Sequence, residues 1–314
     1  MSTAWVAGVV RAKALAERRL GAGGARALAA RPGLGAALQD LETTPYGHDV
    51  HVGQSLAEAQ HAVGASLLWN MRVLAGWLPR EGADVVRLLA AGFEVANLDE
   101  HLARLHGDPA GPAYALGTLD TAWARLAATT SLTEVAEVLG TSSWRLRELE
   151  TRREIQVGLR LAWADAVVGR VPAAATAART GAALLVLREV ALEGRSLSPP
   201  LARRASYVLG PAFVDALTSG RNDVTAARAA LPGTARSALA ELDRLEDLWR
   251  ATAGWWRQVE HEGFRLLRDS TYDQRPVVGA LMVLAGDAWR VRAALETAAR
   301  GGTPAVMEAF DGVA

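Results

Sequence analysis

The sequence predicts an all-α protein, and three observations carry the prediction. Apolar residues recur at spacings of three and four, as in Val85-Val86-Arg87-Leu88-Leu89-Ala90 through Leu98, Leu102 and Leu105. Sustained period-two alternation, the mark of strands, is hard to find. A helix-sized pattern that closes on glycine returns about every hundred residues, a sign of a scaffold built by duplication.

The elements follow in order. An apolar N-terminal stretch carries Arg11, Lys13 and Glu17, which spoil the uninterrupted core that a secretory signal needs. Leu34 to Leu41 forms a short helix before Tyr46-Gly47. There glycine is expected in a left-handed cap, with the tyrosine ring folded back on the helix. The first recurring helix contains Ala90-Ala91-Gly92-Phe93-Glu94-Val95-Ala96-Asn97-Leu98 and runs to Gly107. Asn97 reads as a buried polar contact that fixes how helices meet, with a simply exposed residue as the alternative. Gly107-Asp108-Pro109-Ala110-Gly111-Pro112 is a loop.

Ser131, with Glu134 three residues on, has the spacing of a capping box and starts a helix over Leu132 to Leu139, before Gly140-Thr141-Ser142. The second recurring helix spans Arg179 to Gly194 and is followed by a loop to Pro200. Asp223 caps a helix from Val224 to Leu231, which precedes Pro232-Gly233-Thr234. Trp249, Trp255 and Trp256 lie with Val259 on one helix, where core packing between helices is the expected role. The third recurring helix contains Leu284-Ala285-Gly286-Asp287-Ala288-Trp289-Arg290-Val291-Arg292 and runs to Gly301, before Gly302-Thr303-Pro304. The breaks divide the chain into three similar helical domains, residues 1–112, 113–200 and 201–314, each a short helix, a long arginine-rich helix or pair, and a helix closing on glycine. Such units bury one face internally and offer the rest to neighbours, and three of them make a ring or funnel in pseudo-threefold arrangement.

Composition narrows the function. The 314 residues are 50% hydrophobic and 22% charged, enough for a large core. Lys+Arg and Asp+Glu are both 34, which removes the electrostatic case for general nucleic-acid binding. With no cysteine, disulfides, thiolate metal sites and cysteine nucleophiles are excluded. Pro276 to Gly286 is charge-free but only half the ~20 residues of a spanning helix, so membrane association would be peripheral.

The chemical motifs are incomplete. A class I terpene synthase needs an aspartate-rich motif and a second acidic or amide cluster to hold magnesium. Asp99-Glu100 lacks the further aspartate, Asp269 to Asp273 stands alone, and Asn222-Asp223 is followed by Ala226 where a hydroxyl is wanted. Glu58-Ala59-Gln60-His61 is one Glu-x-x-His step with no second copy for a di-iron bundle. His48, His51 and His61 read as surface histidines. Gly21-Ala22-Gly23-Gly24 has no preceding strand and no Gly-Lys-Ser/Thr ending, so no phosphate loop is supported. No catalytic, cofactor-binding or metal-binding residue is assigned, and no cofactor is implied. Arg145-Leu146-Arg147 with Arg152-Arg153, and Arg203-Arg204, are candidate interface contacts, since guanidinium forks suit carboxylates and carbonyls, although each taken alone reads first as a solvated helix face.

Trp5-Val6-Ala7-Gly8-Val9-Val10-Arg11-Ala12-Lys13, Leu38-Gln39-Asp40-Leu41-Glu42-Thr43-Thr44-Pro45-Tyr46-Gly47 and Leu116-Gly117-Thr118-Leu119 stand in the order and spacing of the C-type rotor component of prokaryotic V-type (A-type) ATPases, the counterpart of the d-type component of the eukaryotic V-ATPase. Val86 to Leu98 resembles that family's helix with an Asn-Leu pair, and Pro276 to Arg300 its last helices. Trp5 stands where the family often has tyrosine, and Leu184-Leu185 where a further Asn-Leu pair is expected. The resemblance implies a funnel of three helical domains on the cytoplasmic side of the proteolipid ring, receiving the central stalk in a socket. It implies a non-enzymatic, peripheral rotor component that transmits torque for ATP-coupled ion transport, with the central-stalk proteins and the ring as partners. A generic helical-repeat adaptor is the alternative reading.

Overall fold

A computed structural model describes residues 3–218, 223–239 and 248–301. Among them every regular element is helical and none is a strand. In chain order the α-helices are α1 (Val6–Glu17), α2 (Gly21–Ala29), α3 (Leu34–Glu42), α4 (Leu56–Ala75), α5 (Arg80–His106), α6 (Trp123–Leu126), α7 (Leu132–Thr141), α8 (Arg152–Arg170), α9 (Ala175–Leu187), α10 (Pro199–Leu209), α11 (Pro211–Thr218), α12 (Val224–Ala230), α13 (Gly233–Ala238), α14 (Leu248–Leu267) and α15 (Gln274–Ala299). No helix among the described residues is long and apolar enough to cross a membrane.

Local chemistry accounts for the boundaries. Ser55 and Thr151 form reciprocal capping boxes with Glu58 and Glu154, starting α4 and α8. The Ser131 hydroxyl accepts from the Glu134 N–H at the start of α7. The Glu134 carboxylate accepts from the Thr130 N–H at 2.6 Å, one residue further back than a capping box would place it. Asp223 accepts from the Ala226 N–H and starts α12. The three recurring helices end at Gly107, Gly194 and Gly301, all with positive φ (83°, 63° and 75°), the left-handed geometry that lets a chain leave a helix. The middle one departs from regular α geometry, since α9 continues as a π-turn over Arg188–Leu192. Asn222 and the segment from Gly302 to Pro304 lie outside the described residues.

By packing, the chain forms two compact units, residues 1–86 with 256–314 and residues 87–255, the division falling inside α5 and α14. In the first unit, α15 packs against α1, α2, α3 and α4. Leu38, Leu41, Val63, Val291 and Leu295 are fully buried there. The charge-free run from Pro276 is the interior of this unit, with every residue from Pro276 to Leu284 buried. Where α14 meets α15 the backbones nearly touch. A Cβ built on Gly279 would lie 2.6 Å from the Gly263 carbonyl oxygen, so both positions demand glycine for close approach rather than for turning.

In the second unit, α8 packs against α9 and α10, and α11 against α10 and α12. Leu126, Leu139, Ile155, Leu159, Leu161, Leu187 and Phe213 fill the core. Burial of this kind stabilises by roughly 25 cal/mol per Å² of apolar surface, which is why the sequence keeps the period of three and four so clearly.

Tyr46-Gly47 differs from expectation. These residues sit in a 3₁₀ turn, Pro45–His48, and Gly47 is not among the positive-φ glycines. A Cβ there would fall 2.0 Å from the Glu42 carbonyl oxygen. Glycine is needed because the turn folds its backbone directly onto the end of α3.

Candidate functional site

The residues of greatest chemical interest are two buried carboxylates. Glu94 on α5 is fully buried and accepts from the Trp144 indole N–H (2.8 Å) and from the N–H groups of Thr121 (2.9 Å) and Ala122 (3.0 Å). Those two amides precede α6, whose N-cap position, Ala122, has no side-chain oxygen to offer. The helix's own first amides, Trp123 and Ala124, donate to Asp120 at 2.7 and 3.2 Å, and Glu94, from a distant helix, takes the two amides just before them, which would otherwise be left unpaired. Burial pushes the Glu94 carboxyl above its ordinary range, opposed by the three donors.

Asp287 on α15 repeats the arrangement in the other unit. It is fully buried and accepts from the N–H groups of Leu20 (3.0 Å) and Gly21 (2.7 Å), at the start of α2, and from the Tyr46 hydroxyl (2.8 Å). Burial and the adjacent Asp287 hold the Tyr46 hydroxyl well above its ordinary pKa, so it remains a neutral donor. Each node combines a carboxylate on a long helix, two backbone amides at the entry to a short helix, and an aromatic donor lying just beyond the following helix, α3 or α7. At α11 neither amide is available, because Pro211 has no N–H and the Gly210 N–H donates to the Ser206 carbonyl at 2.9 Å.

Tryptophan shows a second recurrence. The Trp163 indole donates to the Leu88 carbonyl at 2.8 Å, and a Cβ on Gly92, one turn further along α5, would lie 2.8 Å from its ring. The Trp255 indole donates to the Ala177 carbonyl at 2.9 Å, and Gly181, one turn further along α9, would meet that ring at 3.1 Å. The register is identical in the two cases. Trp69 stands at nearly the same interval before Trp163 as Trp163 before Trp255, but it is partly exposed and stacks on His48 at 5.1 Å. It lines a hollow of about 160 Å³ in the first unit, together with Arg18, Asp49, Asn70 and Asp287. The even spacing of these tryptophans is the sequence signal that could have revealed the register.

Asn97 is fully buried, as expected, but it holds the loop after its own helix rather than a second helix, donating to the Tyr114 carbonyl (2.9 Å) and accepting its N–H (2.6 Å). Arg152 and Arg153 are spent internally, on Asp108 and Glu189 at 2.6 Å each. Arg145, Arg147, Arg203 and Arg204 converge on one hollow of about 170 Å³ in the second unit. Trp256 stacks on Trp289 at 5.8 Å, whereas Trp249 is 46% exposed and lies beside Arg250, so the three neighbouring tryptophans have three different fates.

Asp99 is taken by Gln156 and Arg160, and Asp269 and Asp273 by Arg275. Glu58 is occupied in the Ser55 cap, and His48 and His51 are more than half exposed. Among the described residues no group of His, Asp and Glu could hold a metal ion. His101 carries no motif that would single it out in the sequence. It is buried, its Nε2 lies 2.8 Å from the Thr129 hydroxyl, and burial holds its pKa below the ordinary value. No known family model matches the chain, and no curated protein sequence matches it.

Proposed function

We propose that the chain is a non-catalytic central-rotor component of a prokaryotic V/A-type rotary ATPase or ATP synthase. In this reading it links the central stalk to the proteolipid ring on the cytoplasmic face of the membrane and transmits torque, while other proteins of the complex handle ATP and ions. The observation that carries the reading is recurrence of rigid architecture. The carboxylate node around Glu94 returns around Asp287, and the tryptophan-in-glycine register of Trp163 returns at Trp255.

Torque transmission asks for stiffness and for surfaces, not for a reactive side chain. Buried ionic nodes that tie short helices to long ones, and indoles keyed into glycine gaps, supply stiffness because each has one satisfied arrangement and costly alternatives. The colinear resemblance of segments 5–13, 38–47 and 116–119 points to the assembly. Two of its elements carry architecture here: Tyr46 binds Asp287, and Leu119 is buried.

The test is deletion of the gene, followed by ATP-driven ion uptake in inverted membrane vesicles. The proposal expects uptake to vanish and to return when the intact chain is supplied. Undiminished uptake without the chain would overturn it.

A further inference from the structure

The arginine-lined hollow of the second unit has the features of a docking site. We infer that it receives an acidic segment of a protein partner, one that places an apolar side chain in the hollow and carboxylates on its rim.

The hollow is built by the loop between α7 and α8 on one side and α10 on the other. Trp144, Leu146 and Leu149 anchor the loop in the core. Between these anchors, Arg145 and Glu148 hold φ at 50° and 61°, a left-handed conformation that non-glycine residues avoid. In a chain with 30 glycines, the two positions that favour glycine carry an arginine and a glutamate. The turns leave Arg145, Arg147 and Glu148 on the exposed side, facing Arg203 and Arg204 across a floor that includes Leu146, Leu149 and Leu201.

The charges do not balance. Arg203 is paired with Glu148 at 2.6 Å and Arg204 with Asp165 at 3.0 Å. Arg145 and Arg147 form no ion pair among the described residues, so two positive charges remain at the rim. Tyr207, 77% exposed, stands beside them as an aromatic platform. Guanidinium groups around an apolar floor suit carboxylates flanking an aliphatic or aromatic side chain, and aromatic and arginine residues are those that dominate interface energetics. A polyphosphate or nucleic-acid backbone fits less well, because it has no apolar side chain to set against Leu146, Leu149 and Leu201. The inference stands whether or not the rotor reading does, since it uses only this unit's geometry and charge.

The test is fluorescence anisotropy of the full chain with a fluorescein-labelled peptide in which a central leucine is flanked on both sides by glutamates and aspartates. Arg145→Glu with Arg147→Glu is expected to weaken binding by about tenfold or more, whereas Arg18→Glu with Arg80→Glu, an equal charge change in the other unit, leaves it nearly unchanged. Glu148→Gln releases Arg203 and is expected to tighten binding, and replacing the central leucine by serine to weaken it. Thermal melts of each variant separate lost binding from lost folding. A dissociation constant unmoved by the Arg145/Arg147 reversal in a folded protein would overturn the inference. So would inorganic polyphosphate or a single-stranded oligonucleotide binding as tightly as the peptide.

Discussion

Replacing Gly279 by alanine tests the close approach of α14 and α15 with a single methyl group. The added Cβ would lie 2.6 Å from the Gly263 carbonyl oxygen, 2.8 Å from Leu266 Cβ and 3.0 Å from the Leu267 nitrogen. Two of these three neighbours are backbone atoms, so no rotamer change relieves the contact. The helices must separate by roughly 0.5–1 Å, and a gap of that size forfeits a quarter to a half of the dispersion attraction of the atoms around it. Overpacking of this kind costs about 1–3 kcal/mol, offset by roughly 1 kcal/mol from the better helix propensity of alanine.

The net expectation is a loss of up to about 2 kcal/mol, or up to several degrees in Tm by calorimetry. Gly169→Ala is the control. Nothing lies within 4 Å of its Cβ and it is exposed on α8, so it should be neutral or stabilising by up to about 1 kcal/mol. A Gly279→Ala protein that melts above the parent temperature, gaining the full helix-propensity benefit of alanine, would refute the argument that these backbones touch.

Asp287→Ala strands the Leu20 and Gly21 amides and the Tyr46 hydroxyl in the core, and should cost about 3–5 kcal/mol in chemical denaturation. Tyr46→Phe removes one hydrogen bond to that carboxylate and should cost about 1.5–3 kcal/mol alone, but far less in the Asp287→Ala background, as a double-mutant cycle would show. Glu94, raised above its ordinary value of 4.5 by burial, binds its proton more tightly folded than unfolded. Its contribution to stability therefore falls as pH rises from the unfolded toward the folded pKa, and Glu94→Gln should remove that slope from urea midpoints measured against pH. Asp273, held below its ordinary value by Arg275, acts in the opposite sense: its contribution is present above the unfolded pKa and is lost as pH falls through the folded one, so Asp273→Asn should flatten the acid limb of the same profile.

The helices are legible in the sequence because their signals are local. Gly107, Gly194 and Gly301 announce helix ends through their own backbone freedom, and Asp223 caps the helix that follows it through an amide three residues away. Asn97 can be read as a buried contact because a lone amide in an apolar helix face needs a partner. Partnerships between distant positions leave no such trace. Nothing near Tyr46 reveals that its hydroxyl meets Asp287, and nothing near Gly279 that Gly263 faces it. Gly47 illustrates the same gap, since a left-handed cap and a close backbone approach both demand glycine and only coordinates separate them. The arginine clusters are visible as clusters, but which are consumed by Asp108 and Glu189 and which gather at one hollow depends on how α8 and α10 fold against the loop.

The rotor assignment is tested most directly by tagging the chain at its native locus, solubilising the membranes gently, and identifying the co-purifying proteins by mass spectrometry. The expected result is recovery of the proteolipid, the central-stalk proteins and the ATP-binding proteins of the complex in constant proportion to the tagged chain. Recovery of the chain without any of them would contradict it.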